Sequence, residues 1–139
     1  MMDILVLAGA TAALAAAVVG VIMYRRRPRK LKIDQFQEKW RVMQKQLTDK
    51  QQWPQALIDA DKLLDDALRR RRFPGKSMGE RLTKAQRVLT DNEGVWYGHK
   101  LRQKLEAEPD TKLKEKEIKQ ALIGIRQALK DLGALPDGK

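Results

Sequence analysis

The sequence has no cysteine, and among its 139 residues there is one histidine and one serine. Without cysteine there is no disulfide, no thiol nucleophile and no cysteine-ligated zinc or iron–sulfur site. A single histidine, His99, cannot build a multi-histidine metal centre within one chain. The lone serine, Ser77, leaves little material for a serine triad. We therefore predict no metal site and no cofactor.

The first 24 residues contain no lysine or arginine. All 29 basic residues and all but one of the 18 acidic residues lie in residues 25–139, which carry a net charge of +12. Residues 4–24 are uncharged and would span about 31 Å as a helix, roughly the thickness of the bilayer hydrocarbon. The segment before them, Met1-Met2-Asp3, lacks the basic residues of a signal peptide. The pattern predicts a single transmembrane helix within residues 1–24.

A basic flank follows this segment and predicts the topology. Residues 25–32 are expected to form a juxtamembrane tether beside anionic lipid headgroups. The positive-inside rule then places the N-terminus outside and the rest of the chain in the cytoplasm, as in a single-pass protein of the cell membrane. The predicted membrane-flank residues are Tyr24, Arg25, Arg26, Arg27, Arg29 and Lys30.

The rest of the chain is patterned for helices and not for strands. Apolar residues recur three and four positions apart, and no segment alternates apolar and polar residues for long enough to form a strand. We expect an all-α fold, with a compact bundle of four or five helices over residues 33–133 and a tail over residues 134–139. The expected helices cover about 34–51, 54–72, 77–89, 95–108 and 110–132, with a turn at 91–94 and Asp110 as the last N-cap.

Basic residues of the body are candidates for anion binding. The body's net charge indicates attraction to polyanions, either RNA or anionic lipid. The candidate anion-binding residues are Arg69, Arg70, Arg71, Arg72, Lys76, Arg102 and Lys104. Gly75-Lys76-Ser77 resembles the end of a phosphate-binding loop, but position 70 is Arg where that loop needs Gly. The acidic residues at 59, 61, 65 and 66 are more typical of a solvated helix face than of a magnesium site.

The fourth expected helix contains the most informative residues. On a helix, His99, Arg102 and Glu106 share one face. The stretch 96–108 resembles the motif of the HEPN family of helical-bundle proteins, in which an Arg is followed by a polar residue and, four to six positions after the Arg, by a His. Arg102 matches the family's Arg and Gln103 its polar residue, whereas the His position falls on Ala107.

The resemblance implies a bundle that commonly dimerises and, in active members, cleaves RNA without metal. In those members His takes part in proton transfer and Arg binds phosphate. No His follows His99 in this chain, so the resemblance implies a degenerate, non-catalytic member. Without a catalytic partner, Arg102 is expected to form a buried ion pair with Asp61 or Asp65, or a solvated pair with Glu106.

The expected function is therefore a non-catalytic, cationic binding or scaffolding module on the cytoplasmic face of a membrane. The expected partners are anionic lipid headgroups, a second copy of the chain, and RNA or another protein; no small-molecule substrate is indicated. Two alternatives remain open. One is a membrane-tethered, metal-independent ribonuclease with His99 and Arg102 as its catalytic residues. The other is a structural envelope protein.

Overall fold

The computed structural model describes residues 12–22 and 30–137, and all regular elements within these ranges are helical. Residues 12–22 form a helical stretch. The helices that follow are α1 (Ile33–Gln46), a short 3-10 helix (Lys50–Gln52), α2 (Trp53–Arg70), α3 (Met78–Lys84), α4 (Asn92–Ala107) and α5 (Glu115–Asp131). The expected helical bundle is therefore present.

The predicted transmembrane helix requires a correction. Within residues 12–22 and 30–137, the structure contains no helix that combines the length and the apolar character needed to cross a bilayer. The predictions of a membrane anchor over residues 1–24, of a single-pass topology and of a location in the cell membrane are wrong on this finding. The span was inferred from 21 uncharged residues and the basic flank after them. Lack of charge does not by itself give a helix the apolar character that the bilayer core requires.

Helix α2 lies at the centre of the bundle and contacts α1, α3, α4, α5 and the 3-10 helix. Pro54 occupies its first turn, where the missing N–H costs nothing. Leu57, Leu64 and Leu68 are fully buried along its apolar stripe. Asp61 lies in the same stripe and is also fully buried, so the most enclosed helix of the bundle carries a carboxyl group in its core-facing row.

Helices α4 and α5 cross at a pair of glycines. A Cβ added to Gly124 would overlap the backbone of Gly94, and a Cβ on Gly98 would lie 3.0 Å from the Ala121 carbonyl oxygen. The two backbones can approach this closely because glycine has no side chain. This contact sets the position of α4, and therefore the position of His99 and Arg102.

Two helix ends reverse the chain through left-handed residues. After α2, Arg72 adopts φ 64°, and the Phe73 N–H donates to the Leu68 carbonyl. After α5, Gly133 adopts φ 78°, as expected for a glycine that follows a helix. Arg71 donates from Nη1 to the Leu132 carbonyl oxygen at 2.8 Å, which joins the two helix ends.

Several boundaries differ from those expected. Helix α1 ends at Gln46 and not near Gln51, because the chain turns and the Trp53 indole donates to the Leu47 carbonyl. The expected turn at 91–94 is the first turn of α4, with Asp91 as its N-cap accepting from the Gly94 N–H at 3.0 Å. Asp110 caps no helix, because α5 begins at Glu115. The buried set also includes Leu31, Ala134 and Leu135, so core packing extends beyond residues 33–133.

Candidate functional site

A polar network lies between the central helix α2 and helix α4. His99 Nδ1 is 2.9 Å from Asp61 Oδ2, and both residues are buried. Arg102 donates from Nη1 to the same oxygen at 3.1 Å. Since an ionised carboxylate can only accept, His99 Nδ1 carries the proton in this contact. The network therefore joins a buried carboxylate of α2 to an imidazole and a guanidinium of α4. His99 and Arg102 reach the same carboxylate because their three-residue spacing places them on one face of α4.

Arg102 connects this buried contact to the surface. Its side chain is 16% exposed, and its second partner is Glu106, whose carboxylate lies 2.9 Å from Nη2 and is 51% exposed. Burial on its own would lower the pKa of Arg102, but the hydrogen bonds and charges of Asp61 and Glu106 outweigh it, and the net pKa is raised. Arg102 thus stays cationic, and both expected ion pairs, with Asp61 and with Glu106, are present.

Asp61 is not fully satisfied by these partners. Its Oδ2 atom accepts from both His99 and Arg102, whereas its Oδ1 atom has no hydrogen-bond partner among the described residues. A buried carboxylate is stable only when it is paired and hydrogen-bonded. The stability of the charged form therefore depends on the two contacts at a single oxygen.

A second ion pair lies one helical turn further along α2. Arg81, which is buried, donates from Nε and Nη2 to the two carboxylate oxygens of Asp65 at 2.7 Å and 2.9 Å. Its Nη1 donates to the Gly75 carbonyl oxygen at 2.9 Å. Arg69 lies 3.2 Å from the same carboxylate on its exposed side. This bidentate pair fixes α3 and the preceding loop on α2.

Sequence reasoning missed Arg81 and misjudged the acidic run on α2. Arg81 follows Met78 by three positions and directly precedes Leu82. This spacing places it beside the apolar face of α3 and could have indicated that its side chain is buried. Asp61 follows Leu57 by four positions and precedes Leu64 by three, which puts it within an apolar stripe. The interpretation of the acidic run as a solvated face is therefore wrong for Asp61, whose side chain has no exposed surface.

Of the arginines at 69–72, which were predicted to bind anions, the first three have partners within the chain. Arg69 pairs with Asp65, and Arg70 pairs with Asp66 and lies over the Phe36 ring at 6.0 Å from its centre. Arg71 donates to the Leu132 carbonyl. Arg72 is exposed in its left-handed conformation. Most of these arginines therefore stabilise the end of α2 and its packing, and they do not form a separate cationic patch.

The remaining predicted site residues lie apart from the network. Lys76 and Lys104 are exposed. At the start of α3, Ser77 Oγ accepts from the Glu80 N–H, and the Glu80 carboxylate accepts from the Lys76 N–H. The backbone amides of Lys76 and Glu80 are therefore bonded within the chain. The membrane-flank residues 24–27 and 29 lie outside the described residues, and Lys30 is exposed.

In chemical terms, the network combines parts of an acid–base site with the packing of a structural ion pair. A carboxylate bonded to imidazole Nδ1 is the arrangement that orients a general base. His99, however, is only 5% exposed, and its ring meets the Trp96 ring edge to face at 5.9 Å between centres. Within residues 12–22 and 30–137, no cluster of three or more carboxylate and imidazole groups could hold a metal ion.

Comparisons of the chain with protein-family models, with curated proteins and with solved structures found no match. The resemblance of residues 96–108 to the HEPN motif stays a prediction.

Proposed function

We propose that this protein is a non-catalytic, cationic helical bundle that binds an anionic partner by its exposed lysines and arginines. The observation that carries the proposal is the division of the charged groups into two sets. His99 and Arg102 are held on the buried Asp61 carboxylate, where they stabilise the packing of α4 on α2. The exposed cations are separate from this network.

The exposed set supplies the charge for binding. Among the ion pairs of residues 12–22 and 30–137, none involves the exposed residues Lys76, Lys84, Arg87, Lys100 or Lys104. The chain as a whole carries +11 and has a pI near 10.1. A protein with this charge attracts polyanions over distances of about a Debye length, roughly 8–10 Å at physiological salt.

The salt dependence of binding tests this proposal. Full-length protein is titrated with inorganic polyphosphate and with single-stranded RNA at several salt concentrations. A purely electrostatic contact gives an affinity that falls linearly with salt on a double-logarithmic plot, and removing one contacting lysine lowers the slope by about 1. If the protein binds neither polyphosphate nor RNA at low salt, the proposal is overturned.

The Asp61–His99 contact favours one alternative, a metal-independent ribonuclease in which His99 moves a proton and Arg102 binds phosphate. The assay that separates the two functions is incubation of the protein with labelled RNA in the presence of chelator, with His99→Ala as the control. We expect the RNA to stay intact with both proteins. Cleavage by the natural chain that is lost in His99→Ala, while helix content is retained, would establish the enzyme instead.

A further inference from the structure

The surface next to the buried network contains a shallow cleft lined by two aromatic side chains. The cleft has a volume of about 420 Å³ and is lined by Asn92, Glu93, Trp96, Tyr97 and Lys100. All five residues lie within the first nine residues of α4. Trp96 and Tyr97 are half-buried, so each ring has one part packed against the protein and another part in contact with solvent.

The buried network contacts the Trp96 ring through His99. The His99 ring, fixed on Asp61 at 2.9 Å, contacts Trp96 edge to face with an interplanar angle of 73°. On another side, the indole lies over α3, where a Cβ on Gly79 would be 3.5 Å from Trp96 Cη2. An aromatic ring held in one orientation loses little conformational entropy when a ligand stacks on it.

Lysines continue from the cleft along the same helix. Trp96, Lys100 and Lys104 follow each other at four-residue spacing, about 6 Å apart along the axis of an α-helix. Both lysines are exposed and neither forms an ion pair with another described residue. An aromatic surface followed by a row of cations is the combination that binds a strand with planar bases and a phosphate backbone.

We propose that the Trp96–Tyr97 cleft is a base-stacking site and that the anionic partner is a single-stranded nucleic acid. A base stacks on the Trp96 ring while Lys100 and Lys104 contact phosphates. This inference rests on the proposed binding of an anionic partner and adds a preference among such partners. Single strands are preferred because polyanions without bases, and duplexes whose bases are stacked internally, cannot stack on the aromatic side chains of the cleft.

Glu93 is the one acidic group in the cleft, and it has a definite consequence. Its carboxylate repels a phosphate but can accept a hydrogen bond from an amino group on a base edge. Glu93→Gln removes the repulsion and keeps an acceptor, so it is expected to tighten binding of single strands a few-fold at low salt.

The test compares three probes with matched variants of the full chain. The probes are single-stranded oligoadenylate, duplex RNA of the same length and inorganic polyphosphate, each followed by fluorescence anisotropy or competition. Trp96→Leu removes the stacking surface. Trp53→Leu is the matched control, since Trp53 also lies beside a lysine, with Lys50 Nζ 5.8 Å from its ring centre, but outside the cleft. Circular dichroism verifies that both variants keep their helices.

The expected result is a roughly tenfold loss of oligoadenylate affinity in Trp96→Leu, the size expected for one stacked base. Polyphosphate affinity should be unchanged in this variant, and Trp53→Leu should change neither. Equal losses for oligoadenylate and polyphosphate, or no loss for either, would overturn the base-stacking site. If the natural chain binds polyphosphate and all RNA forms equally, the inference fails while the proposed function stands. If it binds none of the three, the proposed function fails as well.

Discussion

Replacement of Arg102 by alanine should destabilise the protein far more than replacement of its exposed partner Glu106. Arg102→Ala leaves the Asp61 carboxylate, which has no exposed surface, with His99 as its one remaining partner in the described structure. Removing one member of a buried ion pair costs about 3–5 kcal/mol. Since domains of this size are stable by about 5–15 kcal/mol, the loss is a large part of the total.

The matched control is Glu106→Ala. Its carboxylate is 51% exposed, and an exposed pair of this kind contributes about 0.3–0.5 kcal/mol. Urea unfolding of both variants, followed by circular dichroism at neutral pH, gives the two free energies. At about 4–8 °C per kcal/mol, Arg102→Ala should also lower the melting temperature by more than about 10 °C, and Glu106→Ala by less than about 4 °C.

A double variant tests whether the cost arises from the unpaired charge. In Asp61→Asn/Arg102→Ala the buried group is a neutral amide, which needs no cation. We expect this variant to be more stable than the sum of the two single changes predicts, by at least about 1 kcal/mol. The reasoning is refuted if Arg102→Ala and Glu106→Ala cost the same, or if the two single changes simply add.

Three other predictions concern positions outside the network. Gly124→Ala forces a methyl group into the Gly94 backbone and should cost about 1–3 kcal/mol by denaturant unfolding; an unchanged midpoint would contradict the close crossing. Arg72→Gly relieves a left-handed arginine at φ 64° and should raise stability by about 0.5–1 kcal/mol in the same assay. Burial, and to a lesser degree Glu117, raise the pKa of Tyr97 above its usual value of 10.0. The stabilisation from the neutral phenol is therefore complete below pH 10 and is lost as pH rises through the folded-state pKa, and an ultraviolet titration in which Tyr97→Phe removes no late-ionising phenol would refute this shift.

The helices with regular apolar spacing could be predicted from the sequence, whereas the start of α4 could not. The stripes of α1, α2 and α5 follow from local periodicity, and Ser77 was recognisable as an N-cap because its position relative to Glu80 is a local pattern. The segment 91–94 was expected to be a turn because Asp, Asn and Gly are turn-forming residues. Gly94 is nevertheless helical, since its contact with Gly124 depends on tertiary packing that no local pattern contains.

The candidate site was predictable only where it depends on local spacing in the sequence. The shared face of His99 and Arg102 follows from their spacing, and Asp61 was one of two carboxylates expected to pair with Arg102. The bidentate contact between Arg81 and Asp65 joins residues 16 positions apart, and sequence spacing does not define it. The uncharged N-terminal segment and its basic flank gave the wrong prediction of a membrane span, since neither feature by itself makes a helix apolar enough to cross a bilayer.

The buried carboxylate of Asp61 also restricts which arrangement of helices the chain can adopt. Leucine side chains are interchangeable to a first approximation, and a helix packed by leucines alone can rotate or shift by a turn at small cost. A rotation or shift of α4 on α2 would leave Asp61 in an apolar environment without its cation, and the cost of an uncompensated buried charge disfavours that state. One aspartate on the central helix therefore acts together with the glycine contact between α4 and α5 to select a single register for α4.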